Sequence, residues 1–162
     1  MRRVILVLGT ILFVYFGGRA ALRGLASDET KIRWKIEQMF EGYNTGRAGL
    51  GVAHLHKNWR HEAYELDREL LRGALIRASM QDRDRETKEL TSRVELLEDS
   101  LVISVAEAQA NIELRAAFSR RRDGEWTEGW RIRVEADLEK GDEGWQIVTS
   151  RHDDLEGTQL SR

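Results

Sequence analysis

The feature that most constrains the fold is the alternation of apolar and polar residues in two segments of the second half of the chain. In residues 108–118 every even position is apolar, and the odd positions from 109 to 115 are polar or charged. Residues 130–138 repeat this pattern, with an apolar residue at every even position. Because successive side chains of a strand point to opposite faces, each segment predicts a strand with one dry and one wet face. Such strands are typical of an antiparallel sheet that is solvated on one side.

Two turns predict how these strands pair. Residues 122–124, Arg-Asp-Gly, fit a three-residue hairpin loop with glycine in the left-handed position. Residues 140–143 fit a four-residue loop that sets Leu138 opposite Trp145, so that both lie on the apolar face. With the shorter apolar runs before and after them, these segments predict a meander of about five strands.

The register of the last hairpin makes a prediction about two charged residues. It places Arg151 opposite Ile132 and Asp153 opposite Trp130, on the apolar face at one end of the sheet. His152 then points outward unless a bulge reverses it. A carboxylate held ionised beside an arginine in an apolar cavity is a typical general base. The alternative, which is the commoner case for charges at a strand end, is that the strand leaves the core after Ile147 and that residues 149–154 are solvated.

The first half of the domain predicts three helices. Residues 28–43 have apolar side chains at helical spacing after a capping serine or aspartate. A second helix is predicted from about Val52, because Leu55 and Trp59 are four residues apart. A third is predicted over residues 66–78, where apolar residues form one stripe. Helices followed by an antiparallel meander indicate an α+β domain in which three helices pack on a curved sheet.

Residues 1–26 differ from the rest of the chain, because they combine a long apolar run with four arginines and no acidic residue. A membrane span needs about 20 apolar residues. Residues 4–25 reach that length if Arg19 and Arg23 extend toward the head groups. We therefore expect a single transmembrane helix in the cell (inner) membrane, with the domain on the extracytoplasmic side. The alternative is a signal segment cleaved near Ala26, which would release a secreted protein.

The charge balance excludes one class of partner. The four arginines precede residue 27, so residues 27–162, predicted to be a single α+β domain, keep 22 of the 26 basic residues against all 28 acidic ones. A domain with this excess of negative charge is repelled by nucleic acid. We therefore predict no nucleic-acid partner.

Neither a cofactor nor a metal is predicted. The chain has no cysteine, which excludes thiolate ligands and disulfides. On the predicted second helix His54 and His61 share a face while His56 points away, so the three cannot converge on one ion. The sequence His-Glu-Ala-Tyr-Glu at residues 61–65 resembles the zinc-protease motif but has Glu65 where a second histidine is needed.

The order of elements and the final segment Asp-Glu-Gly-Trp-Gln-Ile-Val-Thr-Ser-Arg-His-Asp-Asp-Leu-Glu-Gly, residues 142–157, resemble the nuclear transport factor 2-like, or SnoaL-like, cone fold. The resemblance covers residues 28–157 and concerns architecture, because no invariant catalytic motif supports it. It implies a cone with a central cavity open at one end. Known members include small-molecule isomerases and dehydratases, binding modules without activity, and membrane-anchored domains of secretion or envelope assemblies.

Aromatic residues and one histidine are the candidates for the lining of such a cavity: Trp34, Tyr43, His54, Trp59 and Trp130. Aromatic rings stack on flat ligands, but at helical or alternating spacing they more often belong to a packed core. Both interpretations stay open at this point.

Two functions follow from these features. The first is a membrane-anchored, extracytoplasmic binding or assembly domain without catalytic activity, whose partners are the membrane, through residues 4–25, and a protein or a second copy. The alternative is an isomerase-like or dehydratase-like enzyme, or a binder of a small apolar ligand, that uses the cone cavity. Under that alternative Asp153 acts as base and Arg151 assists it.

Overall fold

The computed structural model describes residues 26–97 and 99–157. Its three helices are α1 (Asp28–Asn44), α2 (Ala48–Gly51) and α3 (Arg68–Gln81). The strands within the same residues are β1 (Leu55–His61), β2 (Ser92–Leu96), β3 (Val102–Ala106), β4 (Gln109–Arg122), β5 (Glu125–Gly141) and β6 (Gly144–Gly157). The expected α+β architecture is thus present.

The sheet is mixed, which the sequence did not predict. Its strands follow the order β1-β6-β5-β4-β2, and β3 also pairs with β4. All pairs are antiparallel except β1 with β6, which run parallel. A parallel neighbour must come from a distant part of the chain, since a hairpin makes only antiparallel pairs. The edge strand β1 accordingly precedes the meander and closes against its last strand.

The prediction of a second helix from about Val52 is wrong, because residues 55–61 form β1. Leu55 and Trp59 are both buried, as the helix prediction required. A separation of four residues puts two side chains on one face of a helix, and it does the same in a strand, where the period is two. The pair therefore did not distinguish the two structures. The second helix that is present, α2, is a single turn that ends just before Val52.

The dry face of the two central strands is where the sequence placed it. Ala110, Ile112, Leu114 and Ala116 of β4 are all buried, and so is Leu138 of β5. The opposite face of these strands is charged, and there the Arg133 guanidinium donates to the Glu113 carboxylate across 2.8 Å. These residues follow the expected rule that one face of the sheet covers the core while the other faces water.

The predicted hairpin registers are wrong, by one residue at the first turn and by two residues at the second. Both loops contain two residues instead of three and four, so Leu138 lies opposite Ile147 and not Trp145. Asp123 and Gly124 both have positive φ angles, 51° and 88°, as a two-residue turn of the tight hairpin type requires. Bulges then shift the register within the long strands, and the one that matters most leaves Val148 of β6 without a partner.

Helix α1 attaches the helical layer to the sheet. The Ser27 hydroxyl caps it by accepting from the amide of Thr30 across 3.2 Å, and Ile32 and Ile36 are buried beneath it. At its other end the Asn44 side chain donates to the carbonyl of Val94 at 2.8 Å and accepts from its amide at 2.7 Å. The helix is thus fixed to β2 by the same pair of bonds that a neighbouring strand would make.

Helix α3 is held less firmly. It has no buried residue, although Leu71 and Leu75 pack against the core, and Met80 is 73% exposed. Among the described residues no helix is both long enough and apolar enough to span a membrane. The predicted transmembrane segment, residues 4–25, lies outside the described residues and stays a prediction.

Candidate functional site: an apolar cavity with a histidine pair beside it

A cavity of about 270 Å³ lies where α1 and α3 face the dry side of the sheet. We call it the inner chamber. Its walls are apolar side chains of α1 (Ile36 and Phe40), of α3 (Leu71 and Leu75) and of the strands. No carboxylate, amine or imidazole of the described residues lines it. The inner chamber can therefore enclose an apolar molecule.

The polar groups of the inner chamber bond to serines. The Tyr43 hydroxyl donates to Oγ of Ser92 across 3.4 Å, and the Trp59 indole donates to Oγ of Ser150 across 3.2 Å. Burial raises the pKa of Tyr43, so its hydroxyl stays protonated. Each donor is thus satisfied by the protein itself, and a ligand does not need to satisfy it.

A second cavity of about 460 Å³ adjoins the first, and we call it the outer chamber. The two share part of their lining: Trp59, Leu71, Ile132, Val134 and Ser150. The outer chamber adds His61, Tyr64, Leu66, Arg151 and His152. It therefore combines an apolar wall with the polar groups that the inner chamber lacks.

The two histidines of the outer chamber form a pair. Nε2 of His61 lies 3.0 Å from Nδ1 of His152, and their ring centroids are 5.0 Å apart. His61 is 9% exposed, and its Nδ1 accepts a hydrogen bond from the amide of Ala63 across 3.2 Å. Burial, and then the neighbouring His152, lower the pKa of His61. His61 is therefore neutral at neutral pH.

Aromatic rings surround the pair. Tyr64 lies 5.0 Å from His61 and 5.6 Å from His152, measured between ring centroids. On the other side Trp130 lies 5.9 Å from His152 and stacks on Phe118 at 4.7 Å. The histidine pair is thus placed in an aromatic environment beside the apolar cavity.

The structure places the predicted lining residues in three different settings. Tyr43 and Trp59 line the inner chamber. Trp130 contacts His152 and donates its indole N–H to Asp154 across 2.8 Å, but it lines neither chamber. Trp34 is half-buried on α1 and also lines neither.

His54 is held away from both chambers. Its Nε2 lies 2.7 Å from the Gln38 side-chain oxygen, and its Nδ1 lies 3.3 Å from the Lys35 ammonium. Because an ammonium only donates, Nδ1 accepts and Nε2 carries the proton. Burial, and then the charge of Lys35, lower the pKa of His54 to about 4. These contacts attach the residue that precedes β1 to α1, and they occupy both ring nitrogens of His54, so neither is free to bind a ligand.

Arg151 and Asp153 are not on the apolar face. Arg151 lies at the rim of the outer chamber, where its guanidinium pairs with Glu135 and, at 3.8 Å, with Glu62. Asp153 is exposed and lies opposite Arg133. The reason is the bulge at Val148, because one extra residue reverses the faces of everything that follows.

The same bulge turns His152 inward, as the sequence analysis expected of a bulge. His61 and Tyr64 were missed as site residues because β1 was predicted to be a helix. A parallel partner for the last strand was the missing information, and nothing in the local sequence supplies it. Among the residues that the structure describes, no three histidine, aspartate or glutamate side chains come together to hold a metal ion.

No family model and no curated protein matches the sequence. Solved structures do match. A nuclear transport factor 2-like protein with a cystatin-like fold from Novosphingobium aromaticivorans superimposes with a TM-score of 0.65 over 89% of this chain and 90% of that one, at 15% identity. The fold is that of the nuclear transport factor 2-like proteins.

Two further structures show the same architecture. A nuclear transport factor 2-like superfamily protein from Salmonella enterica superimposes with a TM-score of 0.60 over 83% of this chain and 96% of that one, at 17% identity. A domain of unknown function with a cystatin-like fold from Nostoc punctiforme superimposes with a TM-score of 0.64. The match covers 82% of this chain and 80% of that one, at 19% identity. At these identities the nuclear transport factor 2-like fold is established and the activity is not.

Proposed function

We propose that this protein binds a small, mostly apolar molecule in the inner chamber and acts as a binding domain without catalysis of its own. The observation that carries the proposal is the chamber of about 270 Å³, whose lining is almost entirely apolar. Protein interiors normally pack with few voids larger than a water molecule. Ligand pockets are concave, mainly apolar and largely preformed, and the inner chamber has these properties.

The absence of catalysis is proposed because the inner chamber contains no titratable group suited to proton transfer at neutral pH. Tyr43 is the titratable residue among its described lining residues, and burial raises its pKa. The carboxylate predicted to be the base, Asp153, lies on the wet face of the sheet. A bound molecule therefore meets hydrocarbon and aromatic rings on almost every side.

A titration of the full chain in detergent with naphthalene tests the proposal. The ¹³C-labelled methyl groups of Ile36, Ile112 and Ile147, which line the inner chamber, report binding, and the exposed Ile76 is the reference. We expect the three chamber methyl signals to shift together while that of Ile76 does not move. Naphthalene that shifts none of them would refute the proposal.

A variant with a larger side chain in the inner chamber tests the location of binding, and the same substitution at an exposed position is its matched control. Ala136 is buried in the chamber wall and Ala108 is exposed in the turn before β4, so Ala136→Leu and Ala108→Leu make the same chemical change in two environments. We expect Ala136→Leu to weaken naphthalene binding by about tenfold, because the added methyl groups occupy the space of the ligand. Ala108→Leu should leave the affinity unchanged.

Isomerase-like or dehydratase-like catalysis is the second candidate, and the histidine pair favours it. An imidazole accepts a proton from a carbon next to a carbonyl group only through an unpaired ring nitrogen, so catalysis requires the tautomer in which Nε2 of His152 carries the lone pair. In D₂O such catalysis would exchange the acetyl protons of 2-acetylnaphthalene faster than buffer alone, as followed by ¹H NMR. Exchange that is abolished in His152→Phe would favour the enzyme, and exchange at the buffer rate would favour the binding domain.

The extracytoplasmic, membrane-anchored location also remains a proposal, supported by the apolar run and the four arginines of residues 1–26. Alkaline extraction of membranes tests the anchor, and protease treatment of spheroplasts tests the side. We expect the full chain to stay in the pellet and to be digested from outside. Release into the supernatant would contradict the anchor.

A further inference from the structure

We infer that His152 presents the N–H of its Nε2 to the ligand and thereby selects molecules with a neutral acceptor oxygen, such as a carbonyl, at one end of an apolar body. The inference rests on the proposed function and adds the chemical class of the ligand. It follows from the hydrogen bonds that set the position of the proton on each ring of the histidine pair.

The backbone amide of Ala63 determines which nitrogen of His61 carries the proton. This amide lies 3.2 Å from Nδ1 of His61 and can only donate, so Nδ1 carries the lone pair. His61 is buried and neutral, and its one ring proton is therefore on Nε2.

The second step is the contact between the rings. Nε2–H of His61 points to Nδ1 of His152 across 3.0 Å, so Nδ1 of His152 accepts. A histidine that accepts at Nδ1 is neutral and carries its proton on Nε2. No group in residues 26–97 and 99–157 hydrogen-bonds to that Nε2. The backbone of Ala63 thus determines, through His61, that His152 has an N–H to donate.

His152 lies close to the place where the two chambers meet. His152 lines the outer chamber, which shares Trp59 and Ser150 with the inner chamber. An apolar body that fills the inner chamber and extends past these two residues reaches the wall that contains His152. The serine hydroxyl there already accepts from the Trp59 indole. Because the serine keeps its own O–H, His152 and Ser150 are the two neutral donors where the chambers meet, and the His152→Phe variant below distinguishes them.

The fourth step is charge, which distinguishes a carbonyl from a carboxylate. Both histidines are neutral in this arrangement. The cation at the rim, Arg151, is paired with the carboxylates of Glu135 and Glu62. A carboxylate end would lose its hydration without gaining a counter-ion, whereas a carbonyl loses little and gains one hydrogen bond.

Three probes and three variants test the inference on the full chain in detergent. Naphthalene has no polar end, 2-acetylnaphthalene adds a carbonyl, and 2-naphthoate adds a carboxylate. We expect the carbonyl to improve the apparent Kd of the wild type over naphthalene by about fivefold, the effect of one net hydrogen bond. Partitioning into detergent cancels when the same probe is compared between proteins.

The variants locate that gain. His152→Phe should remove it, and His152→Gln, which keeps an N–H donor, should restore part of it. The matched control is His56→Phe, because Nδ1 of His56 also accepts a backbone amide, that of Asn58 at 3.2 Å, but lies outside both chambers. This control should keep the full gain. An equal gain in His152→Phe, or 2-naphthoate as the tightest probe, would overturn the inference.

Long-range ¹H–¹⁵N spectra at pH 7.5 test the proton positions without any ligand. We expect both rings of the pair to be neutral with the proton on Nε2, and a proton on Nδ1 of His152 would overturn the inference. Naphthalene that binds without any benefit from the acetyl group would refute only this inference. If no probe shifts the chamber methyl groups, the proposed function fails, and the spectra still decide the proton positions.

Discussion

The inner and outer chambers share a wall, but their polar groups are arranged differently. In the inner chamber the hydroxyl of Tyr43 and the indole of Trp59 each bond to a serine of the protein. In the outer chamber the Ala63 amide donates to His61, and His61 in turn donates to His152, where this series of hydrogen bonds ends. Under the proposed function, the inner chamber selects a ligand by size and shape, and the outer chamber selects it by chemistry.

The two chambers also differ in how firmly their side chains are packed. Most strand side chains of the inner chamber belong to the buried core, whereas two residues that line only the outer chamber are partly solvated, as Leu66 is, or exposed, as Tyr64 is at 54%. Regions with little buried apolar contact open most easily, and binding sites are commonly drawn from them. We expect changes in the inner chamber to alter stability most and changes in the outer chamber to alter selectivity most.

The largest effect is expected from the same substitution made in each chamber. Leu114→Ala in the inner chamber should lower the free energy of unfolding by about 2–5 kcal/mol, because Leu114 is 3% exposed and its loss enlarges the cavity. Leu66→Ala in the outer chamber should lower it by about 1 kcal/mol, because its side chain is already partly solvated. Urea denaturation of both variants measures the difference. Equal losses would show that the chambers do not differ in this way.

A smaller effect is expected from His54, which neither chamber contains. Its pKa is about 4 in the folded protein and 6.5 in the unfolded chain, so the unfolded state takes up the proton first as the pH falls. The contribution of His54 is thus present above pH 6.5 and is lost as the pH falls toward 4. In His54→Gln the loss of stability over this window should shrink by about 1 kcal/mol, a value that allows for solvent screening.

Urea denaturation at several pH values measures this change, and naphthalene binding at pH 7.5 should be the same in both proteins. Superimposable stability profiles of the wild type and His54→Gln would contradict the assignment. A change in naphthalene affinity would instead show that His54 belongs to the binding site, as the sequence analysis expected.

The smallest effect is expected from the two residues that the sequence proposed as catalytic. Asp153→Asn and Arg151→Gln change exposed side chains on the wet face, where ion pairs contribute little. We expect no measurable change in the urea midpoint or in naphthalene affinity. A loss of binding in Asp153→Asn, beside an unchanged Arg151→Gln, would return Asp153 to the site and refute the separation of the two faces.

The fold was largely predictable from the sequence where burial follows a local period. The alternation in residues 108–118 and 130–138 predicted the two central strands and the face of each that is buried, because a strand repeats every two residues. The first helix was predictable for the same reason, since Ile32 and Ile36 are one turn apart. Local periods failed at Leu55 and Trp59, because a spacing of four fits both structures.

The site was less predictable, because it depends on pairings between distant segments. Tyr43 and Trp59 were expected in the cavity, whereas His61 and Tyr64 were not. One inserted residue, Val148, decides whether Arg151 or His152 faces inward, and a bulge has no dependable sequence signal. The register error of the hairpins came instead from the loop lengths, because both loops contain two residues.

The sequence by itself determined which residues can be buried. Apolar side chains at a fixed period form one face, and the burial of that face is favourable whichever element packs on it. It thereby determined an α+β domain with a half-dry sheet. Only the tertiary structure decided that β1 lies parallel to β6 and that the Val148 bulge turns His152 toward His61. The physical reason is that strand pairing satisfies backbone N–H and C=O groups, which every residue of this proline-free chain carries, so the packing of the whole sheet decides which strands pair.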